Sequence, residues 1–546
     1  MNAMLFDYVI VGGGSAGCVL AARLSEDPSV SVALLEAGPI DKSVLIHCPA
    51  GLAVLAMNGG ANWGFETIPQ PGLNGRRGYQ PRGKVLGGSS SVNAMVYIRG
   101  HRSDYERWAA EGNDGWGWDD VLPWFKHSEN NERGANAFHG AGGLLNVMDL
   151  RSPNPIVSAF VAAGLQAGWP FNEDFNGADQ EGIGPYQVTQ RNGERFSAAK
   201  AYLASNSTRP NLTVVTGFHA SRIVLEGRRA TGVEGVRDGE RLTVRARHEV
   251  LLAAGALQSP QLLMLSGIGA PNELMRHGLP VHHRLDGVGR NLHDHVDVVQ
   301  VVETPGLKDL FGISPGGILR VLRAMATWHR HRSGLLTSNF AEAGGFIRSR
   351  PEEPIPDLQL HFVVGKLVDH GRQMVLGHGY SCHVCLLRPR SRGSLTLADA
   401  DPRSAPRIDP NFLGDADDVA RLMRGFILMR NLLGQPALSR LGGRERMPLA
   451  EPHSEVEIER LIRDRADTIY HPVGTCRMGT DTLAVVDLRL RVHGLDGLRV
   501  VDASVMPSIV GGNTNAPVIM IAERASAMVA AARRGGDEMA AARIAG

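Results

Sequence analysis

A β-branched and aromatic run, Phe6-Asp7-Tyr8-Val9-Ile10-Val11, leads straight into Gly12-Gly13-Gly14-Ser15-Ala16-Gly17. That order constrains the fold more than any other feature of the chain. The apolar run predicts a buried parallel strand. Cys18 to Leu24 predicts a helix, and Val30 to Leu35 a second strand ending at Glu36. G-x-G-x-x-G between a strand and a helix marks a dinucleotide-binding βαβ unit. Gly12 permits the tight turn, Gly14 lets backbone approach a pyrophosphate, and Gly17 allows close helix–strand packing. The helix N-terminus then offers N–H groups and a positive dipole end to the phosphates. Glu36 follows Gly17 by 19 residues, near the spacing at which an acid reaches a ribose hydroxyl, and it disfavours NADP. The triplet leaves NAD and FAD equally open.

A chain of 546 residues needs more than this one unit, so two or more domains are expected. Lys and Arg number 57 against 56 Asp and Glu, and this balance argues against nucleic acid as a partner. Glycine (66) and proline (30) are frequent but without a period, as in a loop-rich α/β enzyme. Five cysteines form no disulfide framework and fit a reducing cytoplasm. Cys382-His383-Val384-Cys385 has CxxC spacing, but it sits in the apolar run Tyr380 to Leu387 and lacks a second pair. It reads as a buried strand, and no metal site is expected. The N-terminus runs into the first strand without a secretory pattern, and no apolar run reaches spanning length. The expected location is cytoplasmic, with peripheral contact at the inner membrane as the alternative.

Further motifs carry the chemistry. Gly87-Gly88-Ser89-Ser90-Ser91-Val92-Asn93-Ala94 is a small-residue run that backbone can lay against a flat ligand, with Asn93 able to bond a ring edge. Tyr470-His471-Pro472 and Gly511-Gly512-Asn513-Thr514-Asn515-Ala516-Pro517 lie near the C-terminus. His471 and Asn515, 44 positions apart, are a candidate proton-handling pair, since histidine titrates near pH 6.5.

With Gly83 to Asn93, Gly255 to Gly269 and Gly287 to His295 added to these runs, the chain resembles the glucose–methanol–choline oxidoreductases, a family of FAD enzymes. The resemblance implies an FAD domain of Rossmann-like α/β type, interleaved with an α+β substrate domain of sheet and helices. The FAD domain would take 1–155, 195–310 and 465–546, and the substrate domain 156–194 and 311–464. FAD contacts implied are Gly12, Gly14, Gly17, Glu36, Gly88, Asn93, Ala94, Val214 or its strand neighbour, Asp502 and Ala503. His471 is implied as the base and Asn515 as the group that holds the substrate oxygen. His293 and His295 are implied as supporting or structural. Asn339 and Glu342 fall at the substrate pocket, Glu342 as a structural or oxygen-orienting group. Where some members carry a histidine that holds FAD covalently, this chain has Val92, so non-covalent FAD is expected.

Within the family the chain is similar to bacterial acceptor-dependent alcohol dehydrogenases, with choline dehydrogenases nearby. Ser338 to Phe346 and Gly512 to Pro517 match the alcohol branch. The implied reaction is oxidation of a primary, aliphatic alcohol to an aldehyde, with electrons passed to a quinone-type acceptor. The same motifs are compatible with an oxidase using O2, a choline dehydrogenase, or an FAD-containing lyase without net redox change. One segment stands apart. Ile318 to Arg332 is basic with an apolar stripe, and it reads either as a helix packed on the substrate-domain sheet or as a helix lying on an anionic membrane.

Overall fold

The computed structural model describes residues 4–535 apart from 207, 374 and 447–453. The Ala/Arg/Gly-rich C-terminal stretch, read from sequence as a frayed tail, lies outside the described residues beyond 535.

The opening strand, Met4–Val11, sits inside a seven-stranded sheet. Val32–Glu36 and then Leu212–Thr216 follow on one side, and Glu240–Leu252 and Leu498–Val500 on the other, all parallel. Arg229–Arg237 and His219–Glu226 extend the sheet antiparallel. The central strands are continuous apolar runs because both of their faces are buried, in part by helices. Ser15–Leu24 and Asn515–Arg533 are two such helices, and Val19, Leu20, Ile521 and Val529 share one core with Val9 and Leu34. The parallel strands end together at one edge, where a ligand site is expected in folds of this kind.

A second, antiparallel sheet runs Arg444–Glu445, Val296–Glu303, Gly377–Leu386, Leu358–Val363, Ala341–Ile347 and Gly182–Pro185. Asp467–Thr468 pairs onto Val296–Glu303. Residues alternate between its two faces, apart from an irregularity between Ala341 and Ala343. Leu358, Leu360, Phe362, Cys382, Val384 and Leu386 enter a core closed by helices Ile156–Gln166 and Ala416–Leu433. Gln359, His361, Ser381 and His383 therefore take the opposite face, as does Asp297, whose carboxylate His383 contacts. Cys382 and Cys385 fall on opposite faces of the one strand, which separates their thiols. Val296–Glu303 and Asp467–Thr468 belong to this sheet, although the sequence boundaries put both in the FAD domain. Such apolar strands look alike in sequence whichever sheet they join.

Candidate active site

Between the two sheets lies a cavity of about 1060 Å³. One wall is the nucleotide motif. Gly12 has φ +104° and its Cα faces the Ala253 carbonyl so closely that a Cβ would come within 2.5 Å of that oxygen. A Cβ on Gly17 would run into the Gly12 carbonyl, so Gly17 serves helix–strand contact and does not line the cavity. Gly14 is different. A Cβ there meets nothing within 4 Å, and the residue lines the cavity at the uncapped N-terminus of Ser15–Leu24. Open space at that point, beside helix N–H groups, fits a pyrophosphate. Gly88 backs it, with a Cβ there only 2.7 Å from Gly14 Cα.

Glu36 completes this wall. Its carboxylate accepts from the Gly13 and Gly38 N–H groups at 2.8 and 2.6 Å, and burial pushes its pKa up to about 7. Asp502 accepts from the Gly255 and Ser504 N–H groups and the Ser259 hydroxyl, which ties the loop before Ala503 to the sheet edge. Asn93 and Ala94 line the cavity, and Asn93 Oδ1 accepts from Met95 N–H and Arg195. Only its Nδ2 is left for a ring edge.

The opposite end holds a cluster of histidines. His471 follows Tyr470, whose left-handed φ of +78° turns the chain into the cavity. The His471 N–H donates to Asp294 Oδ1 at 2.8 Å, and the Thr468 hydroxyl donates to Asp294 Oδ2 at 2.5 Å. Gln359 Nε2 donates to Asn513 Oδ1 at 3.1 Å, which leaves Asn513 Nδ2 facing His471 Nε2 at 3.4 Å. A donor at that point fits an unprotonated Nε2. The imidazole proton then sits on Nδ1, 3.0 Å from His295 Nδ1, which accepts it. Burial is the main force holding His471 well below the usual histidine range, and its electrostatic interactions with His295, His361 and Arg82 push the same way. His295 and His361 are likewise pushed down to about 3 by burial. His361 lines the cavity beside Asn513, with both ring nitrogens buried.

The GMC oxidoreductase N-terminal model matches residues 6–297 and the GMC oxidoreductase C-terminal model residues 389–522. This chain belongs to the GMC oxidoreductase family. It is 48% identical to an alcohol dehydrogenase [acceptor] of Pseudomonas putida over 96% of both chains. It is 44% identical to the mitochondrial choline dehydrogenase of Mus musculus, over 96% of this chain and 89% of that one. Among solved structures, pyridoxine 4-oxidase from Mesorbium loti superposes with a TM-score of 0.85 at 34% identity, covering 96% and 98% of the two chains. An Aspergillus oryzae formate oxidase described for its FAD modification gives 0.90 at 28% identity, covering 98% and 100%.

In this GMC oxidoreductase the geometry departs from the sequence expectations at Asn515, Val214 and Glu342, as it does at Gly17. Asn515 does not face His471. It is the first residue of the Asn515–Arg533 helix, and its Oδ1 accepts from the Ser15 hydroxyl at 2.7 Å, beside the nucleotide motif. Asn513, two residues earlier in the loop, takes the place beside His471. Val214 lies mid-strand against Leu34 and does not line the cavity. The chain turns at Gly217, and Phe218, His219 and Ala220 form that part of the wall instead. Glu342 also stays outside the lining. Its oxygens accept from the Ser338 hydroxyl and the Asn154 N–H, both at 2.5 Å, so it braces loops behind the pocket. Asn339 does line the cavity, donating to the Ala94 carbonyl at 2.7 Å.

His361, His383 and Asn513 are the cavity residues that motif reading passed over. Polar residues at period two inside buried strands, Gln359-Leu360-His361 and Ser381-Cys382-His383, were the signal for the first two. His293 is structural: Nδ1 bonds the Asn291 carbonyl and Nε2 accepts from Ile509 N–H, holding the two loops together.

Proposed function

We propose that this protein oxidises a primary, aliphatic alcohol to its aldehyde, with His471 as base and Asn513 holding the substrate oxygen. The carrying observation is the convergence of His471 Nε2 and Asn513 Nδ2 on one point of a cavity whose far wall is the nucleotide motif. Gly12, Gly14, Glu36, Gly88, Asn93, Asp502 and Ala503 would hold FAD, and the wall around Gly14 fits its pyrophosphate. When bound, FAD supplies the hydride acceptor. Val92 lines the cavity and offers no nucleophile, so the flavin is held without a covalent bond.

The residues divide the remaining work. His471 Nε2, kept neutral by burial, takes the hydroxyl proton. Asn513 Nδ2 donates to the oxygen as negative charge develops on it. Asp294 fixes the His471 backbone, and His295 accepts the Nδ1 proton, which sets the tautomer. Val96, Phe340, Val363, Leu367 and Ile469 give the site apolar walls suited to an alkyl chain. Glu342, the carboxylate that a cationic head would need, faces away, which favours an alcohol over choline. The similarity to an alcohol dehydrogenase [acceptor] supports transfer of the electrons to an acceptor, which in this reading is quinone-type.

Anaerobic mixing of the holoenzyme with a medium-chain alcohol tests this reading. Rapid bleaching of the flavin with the alcohol, none with choline, and slow return of colour in air are the expected results. A flavin that stays yellow refutes the oxidation, choline bleaching refutes the substrate class, and instant reoxidation in air makes the protein an oxidase.

A further inference from the structure

The Pro315–His331 helix does not bury the stripe its sequence presents. Ile318, Leu319, Leu322 and Met325 are 56%, 49%, 57% and 53% exposed, whereas Ala324 and Trp328 turn inward onto Cys48, Ala50 and Leu336. Spacings of four and three set Ile318, Leu322 and Met325 in one row, with Leu319 beside it. Met325 also lines the cavity, as do Val44, Val54 and Met57, all of them exposed. An exposed residue that lines a cavity stands at its mouth. Leu376, 76% exposed, follows Val375 in the same lining. Three separate segments thus ring the mouth with apolar side chains. Exposed apolar residues scattered singly need no explanation, but a contiguous ring does.

Charge indicates what covers it. The helix carries no Asp or Glu, and it holds Arg320, Arg323 and Arg330, with Arg332 just after it. Arg320 pairs with Asp309 and Arg332 with Glu194. Arg323 and Arg330 are exposed and enter no ion pair among the described residues. An apolar row flanked by uncommitted guanidiniums suits a helix lying at the headgroup–acyl boundary of an anionic bilayer. Among the described residues no helix is long and apolar enough to cross a membrane, so this contact would lie along the surface.

We propose that this face docks on an anionic lipid bilayer and sets the cavity mouth against the membrane. If the proposed function holds, an apolar alcohol or a quinone then enters from the lipid. The test is sedimentation of the holoenzyme with vesicles, either pure phosphatidylcholine or with about a third phosphatidylglycerol. Wild type should sediment with the anionic vesicles, less so at high salt, and remain in solution with the neutral ones. The double variants Leu319→Glu/Leu322→Glu and Arg323→Glu/Arg330→Glu should each lose at least about tenfold in partitioning. Their circular dichroism and their turnover of a short water-soluble alcohol should stay at the wild-type level; turnover also separates this proposal from the function reading, because partitioning is measured without it. Wild type staying in solution with anionic vesicles overturns the proposal. So does unchanged partitioning of the variants. A dimer that the Leu variant splits, with no vesicle binding by either protein, would make this face a subunit interface instead.

Discussion

Asn513 and Asn515 have the same side chain two residues apart, yet they do different things. Asn513 reaches His471 from a loop; Asn515 opens a helix and bonds Ser15. Removing a donor to a developing oxyanion costs about a hundred- to a thousandfold in rate. Asn513→Ala should therefore lower the rate of anaerobic flavin reduction by that order with flavin content unchanged. Asn515→Ala should instead weaken flavin retention and leave the reduction rate of the loaded enzyme within about threefold, a small change beside an oxyanion-donor loss. The reverse pattern would return the catalytic role to Asn515.

The burial of His471 has its own consequence. A base acts only when unprotonated, so a pKa held below 6.5 moves the loss of activity to lower pH. The acid limb of kcat/KM, followed from about pH 5 to 8, should fall below pH 6.5, and a limb above it would exclude a buried neutral His471. The His471 position was legible from its motif. The choice between two asparagines was not, because residue spacing says nothing about which way a loop side chain points before a helix begins.

At the scale of elements, the nucleotide unit was the most legible part, since every feature of it answers to one local geometry. Two of its glycines separate packing from binding. Gly17→Ala pushes a methyl into the Gly12 carbonyl and should destabilise the protein by more than about 2 kcal/mol. Gly14→Ala meets no atom and requires no left-handed backbone, so stability should stay within about 1 kcal/mol of the parent. Its methyl would occupy the space suited to phosphate, and the purified protein should lose most of its flavin. Denaturant melts of the apoproteins and the flavin absorbance of the purified proteins check both halves. A Gly14→Ala protein with full flavin content would move the phosphate site elsewhere. The second sheet was less legible. Its strands are buried on the helix side and polar on the cavity side; His383 reads as part of the apolar run Tyr380 to Leu387, and His361 falls in no motif. The exposed stripe at 318–325 could not be settled from periodicity, which gives the same pattern for a helix on a sheet and a helix on a membrane.

At the scale of the molecule, the cavity is walled by both sheets, so a ligand there stabilises more than the unit that carries the glycine motif. The chain crosses between the sheets several times. Val296–Glu303 leaves the first unit to join the second sheet, and Leu498–Val500 returns to the first. Cooperative unfolding of the whole is the expected result of such interleaving, with bound flavin shifting it by mass action. Each tenfold rise in free FAD above its dissociation constant adds about 1.4 kcal/mol of stability. Scaled by the unfolding entropy expected for a chain of this length, that is about 1 °C in Tm per tenfold. Scanning calorimetry of apoprotein titrated with FAD should therefore show one transition moving upward with concentration by that amount. A transition that splits, with only its later part following FAD, would show that the ligand contacts one sheet alone. A Tm indifferent to FAD would remove the flavin from this cavity, and with it the role assigned to His471.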